Sequence, residues 1–164
     1  MRLTTWKGSV VPASSGSAVR TSSARRLPYM DVERRRWSTR TESAGRIGAA
    51  ASTDLLLRGF HPQGTTGAVA AAVTAGKMLG IDGTALLHAI GIAGSLGAGL
   101  MAAQEGAMVK RLHSGRAAEA GIRAALLAAR GFTGIENLVE ADYGGFLSSF
   151  AGGTQGLPRA LDGL

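Results

Sequence analysis

The chain has 164 residues, 45% of them hydrophobic, which is enough for one ordinary domain with its own core. It contains no cysteine, which excludes disulfides, thiolate metal sites and a cysteine nucleophile and fits an expected cytoplasmic location. The net charge of +7 is unevenly placed: residues 1–42 hold nine Lys/Arg against three acids, and residues 43–164 hold nine against eight, so the excess belongs to an arm and the body is close to neutral.

From Met1 to Glu42 no hydrophobic period is sustained, and Ser, Thr and Arg dominate from Ser14 to Ser43. This reads as a disordered, solvated arm. It lacks the uninterrupted apolar core of a secretory signal, and Arg34-Arg35-Arg36 beside Asp31 and Glu33 make no clean amphipathic face. The alternative is nucleic-acid binding through arginine contacts to phosphate, with Trp37 or Tyr29 stacking on bases. The solvated tail is preferred, so no nucleic-acid partner is expected.

Order is expected to begin near Ser43, with one helix running to Arg58 and stopping at Gly59. In the loop that follows, Pro62 disfavours a helical conformation at His61 and holds that residue extended. Thr65 or Thr66 serves as cap for an apolar helix ending at Gly80, a C′ glycine. A second helix starts at Asp82 or Thr84, carries Leu86, Leu87, Ile90, Ile92 and Leu96, and forms an αα-hairpin with the first. Its many glycines weaken it by up to about 1 kcal/mol each, a cost usually borne where backbones approach closely, so it is expected at the centre of a bundle.

Residues Gly83 to Gln104 carry no formal charge and are long enough for a membrane span. Their Gly/Ala composition, with His88 in the middle and no aromatic residue at either end, argues against one, and no membrane partner is expected. A polar connector from Gln104 to His113 then leads to a helix capped by Ser114 and running from Arg116 to Arg130. Ala117, Ala118, Gly121, Ala124, Ala125 and Ala128 give it a small-residue face, and Arg116, Glu119, Arg123 and Arg130 the wet one. Beyond it lie turns, a short helix over Phe146 to Ala151 and a trailing end. No alternating strand pattern occurs, so the fold class is all-α, a helical bundle.

Nearly all the reactive side chains of the central region sit at its two ends. Lys110, Arg111 and His113 make a dense cationic cluster, and His61 adds a titratable group on a preset loop. A di- or tricarboxylate suits such a set, because Lys and Arg bind carboxylate oxygens through charge-assisted hydrogen bonds and histidine can move a proton. A loop Lys-Arg pair is more often a solvated surface, and a lone histidine is more often structural, so spacing alone leaves both readings open. The three histidines never fall at His-x-x-His or His-x-x-x-His spacing, and no metal is expected.

Arg58-Gly59-Phe60-His61-Pro62-Gln63-Gly64-Thr65-Thr66-Gly67, Leu79-Gly80-Ile81-Asp82, Ala89 to Ser95, Lys110 to Ala118 and Arg130 to Gly134, in that order, resemble the MmgE/PrpD family, which includes 2-methylcitrate dehydratases and cis-aconitate decarboxylases. The resemblance runs from about Ala44 to Phe150. It implies a helical domain acting with a smaller α+β lid domain on tricarboxylates, without metal or organic cofactor, usually as a homodimer. The family's catalytic positions fall on His61, for proton transfer, and Lys110, for a substrate carboxylate, with Arg111 and His113 as further substrate-binding candidates.

The same resemblance implies departures. Family members are more than twice this length, and the lid is expected to be missing. Gly8 to Ala13 resembles the end of a second catalytic-histidine motif, but Trp6-Lys7 stands where its His-Pro would be. Resemblance resumes abruptly at Ala44, which suggests out-of-frame translation from Ser14 to Ser43. The expected organisation is an arm over 1–43, a partial helical domain over 44–151 and a flexible tail over 152–164. The expected function is that of a truncated relative whose parent activity is dehydration of 2-methylcitrate or a related tricarboxylate. The alternative is an inactive remnant or an accessory module docking on a full-length relative.

Overall fold

A computed structural model of the chain describes residues 42–162 apart from Ser52 and Asp82. The arm up to residue 41, with its out-of-frame and nucleic-acid readings, and the candidate cap Asp82 lie outside the described residues. Among the described residues six α-helices follow one another: α1 (42–51), α2 (Asp54–Leu57), α3 (Pro62–Leu79), α4 (Gly83–Leu96), α5 (Val109–Ala128) and α6 (Leu157–Leu161). A 3-10 turn, Met101–Glu105, and a π-helical turn, Leu147–Ala151, complete them. Among the described residues the extended pairing is a single isolated bridge between Phe60 and Leu100, so the chain is an all-α helical bundle.

Several boundaries sit where the residues demand them. His61 is extended, with φ −82° and ψ 116°, and Pro62 opens α3 at the position where a missing N–H costs nothing. The helix closes on Gly80 at φ 73°, and the N–H of Ile81 donates to the Gly76 carbonyl at 3.0 Å. Other expectations need correction. Thr65 and Thr66 are not caps: they lie inside α3, and their hydroxyls donate back to the carbonyls of His61 and Pro62. The single helix expected from Ser43 to Arg58 is two, one ending at residue 51 and the other beginning at Asp54.

The largest revision concerns α5. It begins at Val109, so Lys110, Arg111 and His113 stand on its first two turns and not on a connector. The N–H groups of Lys110 and Arg111 donate to the carbonyls of Ala107 and Met108, which winds the helix before Ser114 is reached. Ser114 is thereby freed from capping, and its hydroxyl donates to Gln63 Oε1 at 3.4 Å.

The core has two parts. In the first, Ala68 and Ala72 of α3, Ala89, Ile92 and Ala93 of α4, and Ala117, Ala124, Ala125 and Ala128 of α5 form a seam of small side chains. Its tightest point is Gly121, where a Cβ would lie 2.7 Å from the Ala68 carbonyl oxygen, so α3 and α5 touch backbone to backbone. In the second, Ala50, Ala51, Leu55, Val69, Leu138, Phe146 and Leu147 pack with Phe60 and Phe150, and Phe60 meets Phe150 edge-on at 4.9 Å. Burial of these larger groups contributes about 1.5–3 kcal/mol each.

The glycines of α4 do permit close approach, but the partner is a loop. Gly91 and Gly94 receive Ile135 and Leu138, so α4 is covered by α3 and α5 on one side and by this loop on the other. Past residue 152, where a flexible tail was expected, Leu157 and Ala160 of α6 pack against the second core, and Arg46 donates to the carbonyl oxygen of Ala160 at 3.0 Å. Among the described residues no helix is long and apolar enough to cross a membrane.

Candidate functional site

The loop Gly97–Leu100, between α4 and the 3-10 turn, holds the site together. The N–H of Met101 donates to Gly59 O at 2.8 Å, that of His61 to Gly99 O at 2.9 Å, and that of Ala98 to Gly64 O at 3.1 Å. These bonds fasten the entry of α3 to the exit of α4, and they leave no room for side chains: a Cβ on Gly64 would strike the Ala98 carbonyl. Gly99 adopts φ 139°, and a Cβ added to it would stand 3.0 Å from Nδ1 of His113.

The α3–α5 seam then brings the first turns of α5 over His61. The two Nδ1 atoms of His61 and His113 are 3.0 Å apart, with ring centroids at 5.0 Å and planes inclined by 49°. His61 is buried, whereas His113 is half-buried. Burial lowers the His61 pKa below its ordinary value, and the neighbouring His113 and then Lys110 lower it further. At neutral pH His61 is therefore an uncharged imidazole, able to accept a proton.

Of the four residues singled out in the sequence, His61 and His113 touch, and the positive charge of Lys110 contributes to the lowered pKa of His61. Arg111 is exposed and shares with Lys110 a separate hollow of about 300 Å³, bounded by Ala103, Gln104, Gly106, Ala107 and Met108. Lys110 thus belongs to both groups, a histidine pair and a cationic rim. On its other side His113 lines a hollow of about 270 Å³ with Arg116, Glu119 and Arg123. There Glu119 is held by both arginines.

The residues that sequence reasoning missed are in Gly97-Ala98-Gly99. They carry no reactive side chain, and their signal is only glycine spacing just after a glycine-rich helix. What the arrangement can do follows from its parts. A buried neutral imidazole can take a proton from carbon or return one, and ammonium and guanidinium groups can hold carboxylates.

Residues 40–156 match the MmgE/PrpD N-terminal domain family, and the chain belongs to the MmgE/PrpD family. Among its relatives, cis-aconitate decarboxylase of Aspergillus terreus is 43% identical over 113 residues, covering 68% of this chain and 23% of the relative. The cis-aconitate decarboxylase-like protein oryM of Aspergillus oryzae is 41% identical over 119 residues, covering 72% and 25%. Human cis-aconitate decarboxylase is 37% identical over 94 residues, covering 56% and 19%. The chain spans about a quarter of the length of the two Aspergillus relatives.

Proposed function

We propose that this chain carries the histidine-lysine part of a tricarboxylate lyase site, with His61 moving the proton, Lys110 holding a substrate carboxylate, and Arg111 and His113 binding the remaining acid groups. The observation that carries it is the contact of buried His61 with His113, whose helix start also carries Lys110.

Dehydration of 2-methylcitrate and decarboxylation of cis-aconitate have a common requirement. Both pass through negative charge at a carbon beside a carboxylate, formed by loss of a proton in the first case and loss of CO₂ in the second. A cation at the carboxylate stabilises that charge, and a histidine removes or supplies the proton. The same four side chains therefore serve either reaction, without a metal or organic cofactor. The names of the relatives favour cis-aconitate, and 2-methylcitrate is the next candidate. A cytoplasmic location and a homodimer are parts of the same proposal.

A second reading is that the chain is an accessory module docking on a full-length relative. It is favoured by an apolar hollow of about 320 Å³ between α3 and α5, rimmed by exposed Met78, Leu79, Ile122 and Leu126. Calorimetric titration of the chain with cis-aconitate and 2-methylcitrate, followed by assays for CO₂ release and for the unsaturated dehydration product, tests the first reading. Binding that is lost in Lys110→Ala supports it. Absence of binding, together with co-sedimentation of the chain with a full-length relative, replaces it with the second.

A further inference from the structure

Two Nδ1 atoms at 3.0 Å admit one proton between them and no more. With none, two lone pairs would face each other. With two, the N–H groups would collide. The neutral pair therefore exists in two forms. In one, His61 carries the proton on Nδ1 and donates to His113, leaving its own Nε2 bare. In the other, His113 donates to His61, whose proton then sits on Nε2.

We propose that His61 and His113 work as one single-proton relay, in which a proton arriving at Nε2 of His61 drives the Nδ1 proton of His61 across to Nδ1 of His113. The step balances: the substrate carbon loses one proton, His61 ends neutral with its proton on Nε2, and His113 ends as the imidazolium. The reverse transfer returns a proton to Nδ1 of His61, which is a base again once its Nε2 proton has left.

The direction follows from the surroundings. His61 is 6% exposed, meets His113 of α5 and is further influenced by the charge of Lys110, while the Gly99 carbonyl of the Gly97–Leu100 loop accepts its backbone N–H. His113 is half-buried and borders the hollow of Arg116, Glu119 and Arg123, where water reaches it. A positive charge costs less on the wetter ring. The depressed proton affinity of His61 agrees with this order. In addition to the acid-group binding proposed above, His113 is then a positioning residue that acts through His61. Use of the relay in a lyase site rests on the function proposed above, whereas the shared proton does not.

The test is nitrogen-15 NMR of the imidazole rings in the 164-residue chain, titrated from pH 8 to pH 4 without substrate. The expected result is a downfield proton bridging the two Nδ1 atoms, one ring in the Nδ1–H form, and uptake of the first proton by His113 while His61 stays neutral. Two rings both in the Nε2–H form, titrating independently, would overturn the proposal. The His113→Asn variant retains an amide oxygen near the Nδ1 position but cannot take a proton. In it His61 should keep its Nδ1–H form and protonate at a higher pH than in the parent, and an unchanged His61 titration would equally overturn the relay. If the bridged proton is found but cis-aconitate does not bind, it is the lyase reading that fails.

Discussion

The carbonyl of Gly99 accepts the backbone N–H of His61 at 2.9 Å, and the space where a side chain of the same glycine would begin is bordered by the ring of His113. One residue without a side chain thus anchors the backbone of His61 and leaves room for the ring of His113. At φ 139° a side chain is strained, and an added Cβ would stand 3.0 Å from His113 Nδ1. Gly99→Ala should cost on the order of 1–3 kcal/mol in chemical denaturation and shift the ring signals of both histidines. A loss of stability with unchanged ring signals would separate the loop from the pair.

Two glycines of α5 predict opposite outcomes. Gly121 meets Ala68, Ala71 and Ala72 of α3, so Gly121→Ala should destabilise the chain by about 1–3 kcal/mol through overpacking. Gly115 lies in the same helix with nothing within 4 Å of its would-be Cβ. Gly115→Ala should therefore stabilise by about 0.5–1 kcal/mol. Urea denaturation of the two variants side by side checks the α3–α5 seam.

These glycines also show what was legible in the sequence. Gly80 announced the end of α3 and Pro62 the extended backbone of His61, because each has one dominant backbone use, but α3 starts earlier than the Thr65 or Thr66 that its sequence suggests. The small-residue face of α5 was readable from its spacing. The start of α5 was not. Lys110, Arg111 and His113 look like a polar connector, and their helical state depends on α5 packing along α3, which no local pattern encodes. His61 and His113 stood out as reactive residues, yet their contact depends on a loop whose residues carry no chemistry. The division between Lys110 and Arg111 comes from helix geometry, since consecutive residues face different ways.

Acid should weaken the fold through His61. Its folded pKa is below the unfolded value of 6.5, so the unfolded chain binds more protons as pH falls through and below that value. The penalty is absent above about pH 6.5 and complete once pH passes below the folded pKa. Thermal unfolding followed by circular dichroism should show a midpoint that declines in this window, and His61→Phe should flatten the decline.

Leu147 is fully buried in the second core, remote from the cationic cluster. Leu147→Ala should cost about 2–5 kcal/mol. Because this cluster ties α1, α2 and α6 to the rest, loss of helical signal should accompany the loss of stability. A variant that kept parent stability would show that the aromatic cluster of Phe60, Phe146 and Phe150 repacks into the space.

The convergence of His61, His113 and Lys110 on a carboxylate ligand is tested most directly by titrating cis-aconitate into the nitrogen-15-labelled chain and its Lys110→Ala variant. Saturable shifts of the His61 and His113 ring signals are predicted for the parent. Affinity should fall about tenfold to a hundredfold in the variant, as expected for a charge-assisted hydrogen bond worth about 1.5–3 kcal/mol. Ring signals that do not move at any concentration of the acid, or an affinity indifferent to Lys110, would contradict the account.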